Sequence, residues 1–179
     1  MQEYTLRSTY TRSESAARRA ADVAVVLILS VLLVFLLFRL MLVPCSVKEP
    51  KLTGFEEGDL LLVDRVSKFV SDYSVGDAVR ADVGGEYLFL RVAAAGGSTY
   101  TVRGGRAYLD GALLDESAYS DGWADWLDFE IEIPEGKLLL LPDTRTSVNF
   151  PSSYIVDYSA VYGEVRFRVS PLKKLAFYF

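Results

Sequence analysis

The chain has no histidine and a single cysteine, Cys45, in 179 residues. Ser or Cys triads built on His, thermolysin-like zinc sites and His-ligated haem are therefore excluded. One thiol permits neither an internal disulfide nor a multi-thiolate metal site. The carboxylates are scattered through turns without a close acidic ligand cluster, so the sequence implies no metal and no cofactor. Hydroxyl and amine groups remain. Ser46 and Lys48 lie two residues apart, and in an extended strand both point to one face.

These residues follow a segment that must place them at a membrane. From Val23 to Phe38 no residue is charged, and four apolar residues follow Arg39 before Pro44. That gives about 21 residues against the ~20 that a bilayer core requires. Arg39 lies near the apolar end, where its long side chain reaches the headgroups. A cleaved signal peptide fits poorly, because the polar stretch before the core is 22 residues long. Cys45 directly follows Pro44, which argues against a lipoprotein signal, and reads as a small hydrophobe at the interface. Arg7, Arg12, Arg18 and Arg19 precede the span, whereas Lys48 and Lys51 after it are mixed with Glu49, Glu56 and Glu57. The positive-inside rule then puts the N-terminus in the cytoplasm of a single-pass cell-membrane protein. The expected division is a cytoplasmic tail at 1–20, loose over residues 1–16, a transmembrane helix at 21–43 and an extracytoplasmic domain at 44–179. Up to Val43 the net charge is +2 and beyond it −7, which argues against nucleic acid as a partner.

Beyond Pro44, period-two alternation between turn signals predicts an antiparallel β-domain with one wet face. Strands are expected at Leu60–Val63, Val75–Val83, Glu86–Ala94, Thr99–Arg103, Ala107–Leu109 and Leu138–Leu141. Gly104-Gly105 and Asp110-Gly111 supply hairpin turns. Phe129, Ile131 and Ile133 face opposite Glu130 and Glu132, and Val165, Phe167 and Val169 alternate with Arg166 and Arg168. The stretch ESAYSDGWADWLD at 116–128 reads as a loop or short helical insert, with Trp123 and Trp126 as its anchors into the core.

The order of local motifs resembles type I signal peptidases, the membrane-bound serine proteases of the Ser/Lys class. Their first box, Ser-Met-x-Pro-Thr-Leu followed by a Gly-Asp turn and a strand, is similar to CSVKEPKLTGFEEGDLLLVDRV, with Pro50, Leu52, Gly58 and Asp59 in place. Gly76-Asp77 resembles their second Gly-Asp turn, and LRVAAAGGST resembles their Lys-Arg-Val box from Leu90 onward. Tyr108, Leu109, Asp110, Gly111 and Glu116 are similar to the family's Tyr-Val-Asn-Gly hairpin with its downstream Glu. IPEGKLLLLPDTR keeps Asp143 and Arg145 of the Gly-Asp-Asn-Arg segment as structural residues, and GEVRFRVSPL is similar to the closing strand. The resemblance spans roughly residues 43–179 and implies a mainly β fold, a signal-peptidase-like antiparallel β-domain preceded by one N-terminal transmembrane helix.

It does not bring the catalytic dyad. Signal peptidases activate a Ser hydroxyl with a Lys amine kept neutral by burial. Counted back from Pro50 and Leu52, the nucleophile position holds Val47, and the base position holds Leu90. Arg91 beside it is too basic to take a proton. After Arg145 come Thr146, Ser147, Val148, Asn149, Phe150 and Pro151, where the family has the Ser and Asp-Ser-Arg that support its Lys. Ser46 is a displaced nucleophile candidate, but Lys48 beside the membrane would be hydrated, with a pKa of about 10.4. A one-residue slip would also turn Ser46 to the wrong face. The resemblance therefore implies a catalytically degenerate member, similar to the signal-peptidase-like proteins of Gram-positive pilus assembly. Its expected role is an accessory or chaperone that holds extended pilin segments by strand addition, with pilin subunits and the pilus sortase as partners. Val47, Pro50, Leu52, Phe89, Leu90 and Arg91 would border the peptide groove. An active signal peptidase using Ser46 is the alternative. For topology, protease added outside intact cells is expected to digest residues 44–179 and spare an N-terminal tag; digestion of the tag instead would invert the orientation.

Overall fold

A computed structural model describes residues 2–70, 73–148, 150–170 and 176–177. It divides into a first unit, Met1–Leu40, and a second, Met41–Phe179. Helix α1 spans Gln2–Met41. No Gly or Pro interrupts it, so its polar first part, expected as a loose tail, has helical backbone too. The portion Ala17–Met41, 25 residues with mean hydropathy 3.0, is long and apolar enough to cross a membrane; at 1.5 Å per residue it reaches about 37 Å. The helix stops two residues before the expected boundary at Val43. Pro44 biases the preceding residue to extended backbone, and Leu42 and Val43 instead begin strand β1, Leu42–Ser46.

The second unit is mainly β and antiparallel throughout. The larger sheet contains β1, β2 (Leu60–Asp64), β3 (Ala78–Val83), β4 (Glu86–Ala95), β9 (Lys137–Leu141), β10 (Ile155–Asp157), β11 (Val161–Ser170) and β12 (Ala176–Phe177). Its order is β1-β2-β11-β3-β4-β9-β10, with β12 on β11. The smaller sheet has the order β7-β6-β5-β8, from Thr99–Arg103 (β5), Arg106–Leu109 (β6), Ala112–Leu113 (β7) and Phe129–Glu132 (β8). A four-residue helix α2, Ser67–Val70, follows β2. Pro44 fits a ladder because β1 is an edge strand, where a missing N–H is tolerated.

Both Gly-Asp turns close in the same way. Glu56 N donates to Asp59 Oδ2 at 2.8 Å and Asp59 N to Glu56 O at 3.1 Å, and Ser74 and Asp77 repeat the pair at the same distances. In each turn the glycine before the Asp has positive φ, 86° at Gly58 and 99° at Gly76, a conformation side chains resist. The expected alternation in β11 fails at Arg168, which is 6% exposed. Register shifts at Val165/Phe167 and Arg168/Ser170 rotate the strand. Arg168 Nη2 thereby comes to 2.9 Å from Asp59, itself 2% exposed, and its guanidinium lies 5.5 Å from the Phe55 ring centroid.

Gly163 sets the central pairing of β11. A Cβ there would lie 2.2 Å from the Asp64 carbonyl oxygen, and that neighbour is backbone and cannot turn aside. Gly163→Ala is expected to cost about 3 kcal/mol, read as a lowered urea midpoint of the full chain. An unchanged midpoint would mean that β2 and β11 separate more easily than this packing allows.

Candidate functional site

The site is framed by the loop after β9. Asp143, 1% exposed, accepts from Arg91 Nε at 2.7 Å, Arg91 Nη2 at 2.8 Å and Thr53 N at 2.8 Å. Its own N–H donates to Lys51 O at 2.8 Å. Arg91 also donates to Gly76 O at 2.8 Å, and its guanidinium sits 4.1 Å from the Tyr119 ring centroid. One carboxylate thus fastens the chain after β1, the second Gly-Asp turn, β4 and the 116–128 insert. Two residues on, Arg145 is fully buried and pairs with Glu116. Glu116 also accepts from Tyr100 at 3.2 Å, and Tyr100 accepts from Trp123 Nε1 at 3.0 Å. Burial, followed by the nearby Glu116 charge, pushes the Tyr100 phenol well above its usual pKa.

The second unit also has a cleft of about 400 Å³. Ser46, Lys48 and Glu49 line one bank, Glu86, Tyr87 and Phe89 the other, and Arg80 of β3 lies between them. Ser46 and Lys48 are both exposed. Among the described residues, Ser46 Oγ makes no hydrogen bond and Lys48 Nζ makes neither a hydrogen bond nor an ion pair. The other described Lys amines are surface pairs, Lys51 with Glu49 at 3.1 Å and Lys137 with Asp157 at 3.3 Å. None of the three is the desolvated amine that proton transfer from serine needs. Among the described residues, no group of three or more Cys, Asp or Glu side chains converges to hold a metal.

The residues singled out in the sequence separate into distinct places. Val47 is 1% exposed and packs with Leu52, Phe55, Ala78 and Phe89. Its backbone is fixed too, Val47 N donating to Asp59 O and Gly58 N to Val47 O. Leu90, fully buried, packs with Val79, Val92, Leu138 and Val161. The clusters lie on opposite faces of β4, Phe89 in the first and Leu90 in the second, since successive side chains of a strand alternate, so Val47 and Leu90 do not share one surface. Phe89 lines the cleft, Pro50 is exposed outside its lining, Leu52 is core, and Arg91 is committed to Asp143. In the stretch after Arg145, Val148 is buried with Ala93, Ala94 and Trp123; Asn149 lies outside the described residues. Trp123 anchors the insert as expected, but Trp126 is 83% exposed, because the turn Ala124–Leu127 buries Leu127 on the core side instead.

Arg80 is the residue the sequence reading missed. It stands opposite Phe89 in the β3–β4 register, so a cross-strand cation–aromatic pair was readable once the hairpin was aligned. Its guanidinium lies 4.7 Å from the Tyr87 centroid, 5.0 Å from Tyr162 and 6.0 Å from Phe89. Arg80 Nη1 donates to the buried Cys45 sulfur at 3.2 Å. Burial raises the Cys45 thiol pKa, and the Arg80 charge and hydrogen bond only partly oppose it.

Among solved structures, the chain is similar to a signal peptidase I from Enterococcus faecalis V583, with 22% identity and a TM-score of 0.44, over 53% of this chain and 97% of that one. No family model and no curated protein matches it.

Asp143→Ala would strand the Arg91 guanidinium, whose side chain is 15% exposed. The expected loss is about 3–5 kcal/mol, measured by urea unfolding. Replacing both partners, Arg91→Met with Asp143→Leu, is expected to recover part of it, because no unpaired charge is then buried. A double variant no better than the single one would show that the backbone contacts of Asp143 dominate.

Proposed function

We propose that this chain is a non-catalytic, signal-peptidase-like membrane protein that holds extended peptide segments, acting as an accessory or chaperone in sortase-dependent pilus assembly. The observation that carries this reading is a cleft beside β1 whose serine and lysine are both exposed and unpaired among the described residues, while Val47 and Leu90 are packed into separate cores. A covalent mechanism needs a nucleophile within hydrogen-bond reach of its base, whereas strand addition needs only an edge and a place for side chains. Strand β1 is such an edge, and its last residue, Ser46, lines the cleft. An anchor of 25 residues would keep the holder at the membrane. Pilin subunits and the pilus sortase are the proposed partners, and the main domain is proposed to lie outside the cell.

One observation favours a second reading. Ser46 and Lys48 line the same cleft, so a bound substrate that buried Lys48 could bring the two together in an active signal peptidase. The two readings part on one experiment. The full-length protein in detergent is incubated with a signal-peptide-bearing precursor, and separately used to capture purified pilin and sortase. Capture without specific cleavage is the expected result. Specific cleavage that disappears in Ser46→Ala would replace the holder with the enzyme.

A further inference from the structure

Arg80 is a partly buried cation without an anion. Among the described residues it has no ion pair, although Glu49 and Glu86 line the same cleft; Glu49 is engaged with Lys51 at 3.1 Å. Its one hydrogen bond goes to a thiol, a weak acceptor. Among the described residues, Arg80 Nε is buried with no acceptor, and no hydrogen bond is made by Nη2. Buried donors on a charged group are ordinarily satisfied. Arg91, one strand away, displays the usual solution: its Nε and Nη2 carry the two oxygens of Asp143 at 2.7 and 2.8 Å. Arg80 lines the cleft, and among the described residues no carboxylate pairs with it.

The ring contacts account for how this cation is held. Tyr87, Tyr162 and Phe89 surround the guanidinium, fixing its plane and leaving its edge for recognition. The exposed Ser46 hydroxyl and Lys48 amine add further donors on the facing bank.

We propose that the cleft selects a peptide carboxylate, seated on the Nε/Nη2 edge of Arg80 and supported by Lys48. This rests on the peptide-holding reading above and adds the ligand's chemistry: the bound segment carries an acidic side chain or ends in a free C-terminus. Nε is buried, so seating an oxygen on it requires the side chains around the guanidinium to move aside. A neutral segment would leave the Arg80 edge without an acceptor and bind more weakly.

The test uses the full-length protein in detergent and fluorescence anisotropy with three labelled short peptides of alternating Thr and Val. One is capped at both ends and carries a central Glu, the second has Gln in its place, and the third is neutral in its side chains with a free C-terminal carboxylate. At least one carboxylate peptide is expected to bind about ten-fold tighter than the Gln peptide. Preference for the Glu peptide assigns an acidic side chain, and preference for the third assigns the chain terminus. Arg80→Gln is expected to level the three affinities, while Arg80→Lys keeps part of the preference. The comparison on the unmodified protein does not depend on any variant folding. Equal binding of all three peptides would overturn the carboxylate selection and leave the groove standing. Binding of none up to about 1 mM would overturn the groove itself, and the selection with it.

Discussion

Most of the second unit hangs on the carboxylate of Asp143. It is buried, it takes both arms of Arg91, and it caps the backbone of Thr53 while its own N–H holds Lys51. A charge taken out of water is tolerated only when matched and fully hydrogen-bonded. That condition fixes the spacing of the segments around it. The chain leaving β1, the Gly76 turn, the middle of β4 and the 116–128 insert have little else in common in sequence. They meet because each supplies a partner to Asp143 or to Arg91. The neighbouring Arg145 and Glu116 pair, with Tyr100 and Trp123 behind it, extends the same buried polar frame into the smaller sheet. Arg145 is held there by its Nη groups, which donate to the Pro142 carbonyl and to Glu116.

This frame separates scaffold from chemistry. Arg91 is spent on Asp143 and cannot reach a substrate as a free cation. Val47 and Leu90 fill two apolar clusters on opposite faces of β4, so each is held by its own packing. The cleft between the end of β1 and the β3–β4 hairpin sets the charged and polar side chains of Ser46, Lys48, Glu49, Arg80 and Glu86 beside Tyr87, Leu88 and Phe89. Arg80 gives that cleft its character. Three aromatic rings stack around the cation, yet its hydrogen-bonding edge is left to a thiol on one side and to no acceptor on the other.

Most of the strands were legible because they rest on local rules. Alternation marked β4, Gly104-Gly105 marked the β5–β6 hairpin, and both Gly-Asp turns announced themselves through residues whose own backbone and side chains close them. The failures share another cause. Arg168 looked like a wet-face residue until two register shifts turned it onto Asp59. Trp126 looked like a core anchor, but only one side of its short turn can face inward, and Leu127 occupies it. The helix end moved from Val43 to Met41 because the restraint that Pro44 places on its neighbour outweighed apolar continuity.

By itself the sequence determined the membrane-length apolar helix, the antiparallel β class and the absence of histidine and paired-thiol chemistry, since these depend on composition and on patterns within a few residues. It also singled out Asp143, Arg145, Val47 and Leu90. Only the tertiary structure decided who meets whom. The Asp143–Arg91 pair spans 52 residues and Arg80–Cys45 spans 35, and such pairings depend on strand order and register, which no local window contains. The separation of Val47 from Leu90 and the unfilled edge of Arg80 follow from that same register, because a single residue's shift along a strand exchanges the face that is buried for the face that binds.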